Sequence, residues 1–159
     1  MRFLTCVIVA VTVLVGAFFG YCFYGAQVQL ESVGTVKTPA NEMLDSFSAV
    51  REQLSLDAFY GEQFRETEFE APENYAFITL NVRMKNVGLF PMEWMRVEVE
   101  PNAADILQLA PQGDAPTLER MSLGEYAVTV LTLADAETRH TLTVSYYVLG
   151  RKYEKEFIM

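Results

Sequence analysis

The chain has 159 residues, of which 51% are apolar, and its 12 basic and 21 acidic side chains leave a net charge of −9. That acidic balance argues against binding a phosphate backbone, which requires a Lys/Arg patch, so no nucleic-acid partner is expected, and it disfavours charge-driven docking on anionic lipid. Both cysteines, Cys6 and Cys22, lie near the N-terminus, so the remainder is neither a disulfide scaffold nor a site of thiol redox chemistry.

From Phe3 to Leu30 there is no charged side chain. An apolar run of about 18 residues or more is long enough to cross the hydrocarbon core of a bilayer. Residues 3–24 would span about 33 Å as a helix. Cys6 and Cys22 would then stand about 24 Å apart on it, too far to pair within one chain.

Three fates compete for this segment. Cleavage after Val15-Gly16-Ala17 would leave Phe18, Phe19, Tyr21, Phe23 and Tyr24 on the new terminus, and Tyr24-Gly25-Ala26 places a tyrosine where a small residue is expected. A lipid-modified Cys22 would need a small residue before it, and Tyr21 stands there. An uncleaved signal-anchor, residues 1–26, fits best, with Phe18–Tyr24 as an aromatic belt at the far interface. Arg2 and the positive-inside rule put the N-terminus in the cytoplasm and everything else outside it, making a single-pass protein of the cell membrane. Gly16 and Gly20 form a small-xxx-small pair, the candidate face for transmembrane helix packing and a route to a homodimer.

Residues 27–39, with Gly34 and Pro39, read as a linker. Beyond Asn41, Met43, Phe47, Val50 and Leu54 recur at three- and four-residue steps, which predicts a short amphipathic helix within residues 27–56. Asn41 or Thr38 is its candidate cap, with Pro39 in the first turn if Thr38 serves. The apolar stripe could pack on the chain's own β-domain, lie on the membrane or bind another protein; the polar side is not basic, so lipid is the weakest of these, and the chain's own β-domain is expected.

Residues 57–159 change period. Ile78, Leu80, Val82 and Met84 alternate with polar residues, as do Met95, Val97 and Val99; Tyr126, Val128 and Val130; and Leu142, Val144, Tyr146 and Val148. Arg151–Ile158 follows a tight turn, and 64–69 and 106–109 add shorter candidates. About seven strands without crossover helices predict a mainly β fold, an antiparallel β-sandwich.

The stretch Ile78-Thr79-Leu80-Asn81-Val82-Arg83-Met84-Lys85-Asn86-Val87-Gly88 resembles the V-x-V-x-N-x-G strand and turn of bacterial and archaeal immunoglobulin-like modules of the cell-adhesion-related (CARDB) type. Leu118 to Val128 resembles their L-x-P-G-E-x-x-x-V segment, with Leu123 in place of the proline, and Val148-Leu149-Gly150-Arg151 resembles their last hairpin. The resemblance covers residues 76–158. It implies an immunoglobulin-like sandwich with an extracytoplasmic adhesion or scaffolding role, and brings no catalytic residues.

A search for chemistry finds little. His140 is the only histidine, and with no cysteine nearby a zinc site would need carboxylates alone around one imidazole. It reads as an ordinary surface or strand-edge residue. Glu66, Glu68 and Glu70 share one face of a predicted strand without the spaced Asp/Asn loop of a calcium site, and read as a solvated face. No catalytic residue, cofactor or metal is therefore assigned.

The candidate partner-binding residues are Phe90, Met92 and Trp94. Strand phase points Trp94 outward with Arg96 and Glu98, as a binding anchor; a bulge would turn it into the core, the commoner fate in sandwiches. The expected function is a non-catalytic, membrane-anchored module binding another envelope protein. The alternative is an accessory subunit of a membrane transporter or enzyme held through its transmembrane helix, with a hydrolase third.

Overall fold

The computed structural model describes residues 2–110 and 116–158; the side chains of residues 22–24, and with them part of the expected aromatic belt, lie outside that description. Helix α1, Arg2–Tyr24, carries no acidic residue in its first turn and no basic one in its last. Its stretch Arg2–Tyr21 is long and apolar enough to cross a membrane, and none of its most apolar window is buried against the rest of the chain. Gly25 ends it. A Cβ there would stand 2.4 Å from the Tyr21 ring, so this tight exit requires glycine.

Residues 27–39 are not a linker. Val28–Pro39 form strand β1, paired along its length with β3, Tyr75–Asn86. The register slips between Leu30 and Ser32, so the alternation of Val28 and Leu30 resumes out of phase at Val33. One extra residue in a strand shifts every later side chain by one face, which hides the strand from a period-two reading. Pro39 closes it at the sheet edge, where a missing N–H costs no ladder bond.

A 3-10 turn, Ala40–Glu42, leads into helix α2, Leu44–Ser55. Neither Thr38 nor Asn41 caps it. Met43 holds the N-cap position without a side-chain hydrogen bond, because the 3-10 turn moves the helix start past Asn41.

Strand β2 (Gly61–Gln63), β4 (Glu93–Val99), β5 (Asp105–Leu109), β6 (Leu123–Leu133), β7 (Thr141–Val148) and β8 (Arg151–Ile158) complete the fold. Eight strands among the described residues form two antiparallel sheets, ordered β1-β3-β6-β5-β2 and β4-β7-β8. The segment expected as a strand over 64–69 is irregular; the short β2 just before it pairs with β5 instead.

Ile78, Leu80, Val82 and Met84 of β3 meet Met95, Val97 and Val99 of β4 and Leu142, Val144 and Tyr146 of β7 in one core between the sheets. Each such side chain, removed from water, contributes roughly 1.5–3 kcal/mol. Two bonds seal the seam between β1 and the smaller sheet: the Tyr146 hydroxyl donates to the Ala26 carbonyl at 2.9 Å, and Lys155 Nζ donates to the Val28 carbonyl at 3.0 Å.

A second cluster lies on the outer face of the larger sheet. There Phe47 and Val50 of α2 cover Tyr75, Phe77, Ile106, Leu107 and Leu131. Phe47 also meets Phe69 edge-on at 5.7 Å and Tyr75 at 5.4 Å. The amphipathic stripe is thus spent on the chain's own domain, although Met43 at its start stays exposed.

Candidate functional site

Phe90, Met92 and Trp94 are separated by the fold. Met92 is fully buried and bridges to Leu118, each donating its N–H to the other's carbonyl, so it belongs to the core and presents nothing to a partner. Phe90 is half-buried, packed against the core on one side and against α1 on the other. Trp94 alone is a surface residue, 67% exposed.

The cause lies in the backbone. The β4–β7 ladder is irregular between Glu93 and Arg96, and Trp94 itself has φ +55°. A left-handed conformation is costly for a bulky residue. The bulge occurs, but it keeps Trp94 outside rather than turning it in, while Met95 takes the core position at 3% exposure.

Trp94 stands on the rim of a groove of about 600 Å³ lined also by Tyr60, Glu62, Arg96, Tyr147 and Lys152. Tyr60 is 81% exposed, so two aromatic rings face solvent here. The cations of the groove are paired at the surface: Arg96 Nε with Glu98 at 2.9 Å and Lys152 Nζ with Glu154 at 2.6 Å. Such exposed pairs are weak and exchangeable.

Much of the β4 backbone edge is closed. The buried Gln108 carboxamide accepts from the Val99 N–H at 2.8 Å and donates to the Val97 carbonyl at 3.3 Å, and the Met95 N–H donates to Pro116. The groove therefore offers side chains at this edge rather than a ready ladder for an added strand.

His140 is not at the surface. Its side chain and that of Asp105 are fully buried and meet at 3.0 Å, Nε2 to Oδ2. Its Nδ1 lies 3.2 Å from the Thr138 carbonyl. Both ring nitrogens thus face acceptors, an arrangement only the imidazolium satisfies. The Asp105 hydrogen bond holds the His140 pKa above its ordinary value against burial. Burial pushes the Asp105 carboxyl up, but the bonds from His140 and from the Asn102 amide outweigh it and leave its pKa lowered. Neither ring nitrogen is free to take a proton from a substrate hydroxyl, so the pair works as a clasp between β5 and the segment before β7. Nothing local in the sequence marks it, because the partners lie 35 residues apart.

Glu66, Glu68 and Glu70 are exposed on the irregular segment before β3, with Glu70 accepting from Asn74 Nδ2 at 2.7 Å. Among the described residues no three His, Cys, Asp or Glu side chains are grouped to hold a metal. On α1, a Cβ added at Gly16 or Gly20 would meet nothing within 4 Å. No protein-family model matches the chain, and no curated protein matches it.

Proposed function

We propose that this chain is a non-catalytic, membrane-anchored module whose immunoglobulin-like sandwich, held outside the cytoplasm by α1, binds another envelope protein through Trp94. The observation that carries the reading is the placement of Trp94: an indole kept 67% exposed at a costly backbone conformation, beside Tyr60, on the rim of a groove. Tryptophan and tyrosine are the side chains that most often dominate binding energy when a partner desolvates them. The absence of net basic charge directs the groove toward protein rather than nucleic acid. The likeness of residues 78–88 to the strand and turn of adhesion-related modules agrees with such a role.

The test is capture from intact cells by crosslinking the full chain, compared with Trp94→Ala. A discrete crosslinked protein lost in the variant is the expected result; the same adducts from both, or none from either, would overturn the reading. Replacing α1 by an unrelated membrane helix separates this role from that of an accessory subunit held through the helix. Binding through Trp94 survives the exchange, whereas association through the Gly16/Gly20 face does not.

A further inference from the structure

We infer that the end of the two-sheet domain nearest α1 rests in the membrane–water interface, with Leu89, Met121 and Leu149 inserted among the lipids. This rests on the reading of α1 as a membrane span.

The first ground is the position of the 86–90 turn. Asn86 folds it: its Nδ2 donates to the Phe90 carbonyl at 2.8 Å and to the Leu118 carbonyl at 3.1 Å, and its Oδ1 accepts from the Gly88 N–H at 2.8 Å. The turn is held against α1, with the Leu89 N–H donating to the Tyr21 hydroxyl. The Phe90 ring lies 5.7 Å from Tyr21 and 6.4 Å from Phe18. Both are in the last turn of the apolar stretch Arg2–Tyr21. Phe18 lies about 9 Å down the helix from its end at Tyr24. If α1 spans the bilayer, the turn reaches interfacial depth, and Leu89 goes with it.

The second ground is what the neighbouring turns carry. The Asn86 N–H donates to the Ser122 carbonyl, so Met121 is level with the same turn. Leu149 follows the end of β7, where Tyr147 pairs with Glu93 at the start of β4, the strand that the 86–90 turn leads into. These side chains are 63%, 71% and 55% exposed for Leu89, Met121 and Leu149. Apolar tips on three adjacent turns are unusual on a surface that meets only water.

The third ground is their conformation. Met121 has φ +53°, and Leu149 and Gly150 have φ +51° and +76°. Two successive left-handed residues make the hairpin turn that Asn-Gly suits best. Leucine at the first position is strained and packs against no core, and insertion into lipid accounts for it. The contact is apolar, not electrostatic, so the net acidity of the chain is no obstacle. Trp94 follows Glu93, the partner of Tyr147, and so stands two to three residues in from the Leu149 turn.

The test places a nitroxide label at each site in the full chain, with Cys6→Ser and Cys22→Ser and one of Leu89→Cys, Met121→Cys or Leu149→Cys, in phosphatidylcholine vesicles. All three sites are exposed, so the label displaces nothing from the core. Val11→Cys reports the apolar helix and Asp135→Cys the far end of the domain. Expected is severalfold greater collision with oxygen than with a water-soluble nickel chelate at 89, 121 and 149, with 11 deeper still and 135 fully in water. If 89, 121 and 149 behave like 135 while 11 is in the bilayer, the inference fails and the anchor stands. If 11 is also in water, both fail.

Discussion

The two faces of the larger sheet and the turns at its α1 end treat apolar side chains in opposite ways. On the outer face, the chain folds α2 back over Tyr75, Phe77 and Leu131 and leaves none of them exposed. At the α1 end, Leu89, Met121 and Leu149 stay uncovered although the segments that carry them are well bonded, down to three hydrogen bonds from one buried asparagine. A chain able to build a helical lid for one surface has left the other open. The difference marks where the molecule is finished by itself and where something else completes it.

Equal truncations should therefore have unequal effects. Phe47→Ala removes the centre of the α2 lid and is expected to cost about 3–5 kcal/mol in chemical denaturation of the full chain in detergent. Leaving the variant within about 1 kcal/mol of the parent would mean that α2 is not a structural lid.

The clasp between β5 and β7 comes next. Asp105→Asn leaves an imidazolium without its counter-charge and is expected to cost about 3 kcal/mol. The pH dependence has a definite sign. The His140 pKa is raised by folding, so its contribution is full below about 6.5 and is lost as pH rises through the folded value. The Asp105 pKa is lowered, so its contribution is full above about 4 and is lost as pH falls through the folded value. The difference between parent and variant is expected to be greatest between about pH 4 and 6.5 and to shrink on the alkaline side; a difference that grows toward pH 9 would contradict the ion pair.

Substitutions at the open end invert the usual pattern. Leu149→Asn suits the left-handed turn and is expected to stabilise the domain by about 0.5–1 kcal/mol. Leu89→Ser, which removes no buried contact, should change stability by less than about 0.5 kcal/mol. A large loss from Leu89→Ser would show that this end is packed after all, and would erase the contrast between the two regions.

Much of the sheet structure is legible in the residues, because β3, β4, β6 and β7 each line the core between the sheets with one face and alternate over most of their length, although β3 and β6 also bury Tyr75, Phe77 and Leu131 under α2. β1 is not, since a single bulge at Leu30–Ser32 dephases a strand that is already half-exposed at the sheet edge. The missed start of α2 has a similar cause: Asn41 is a good cap, but the 3-10 turn that follows β1 consumes it. For Trp94, alternation gives the outward direction and the bulge is foreseeable, but the combination of the two depends on one φ angle that no spacing encodes. Met92 fails as a surface residue because it pairs with Leu118, a contact across 26 residues. The Asp105–His140 clasp is invisible for the same reason, with its aspartate placed in a run of buried strand residues.

Trp94 is the single tryptophan of the chain, so intrinsic fluorescence reads that side chain alone. In full-length protein reconstituted into phosphatidylcholine vesicles, an indole offered to a partner should emit near the wavelength of water-exposed tryptophan and be quenched efficiently by iodide. A blue-shifted emission that iodide does not reach would contradict its role as an open binding anchor.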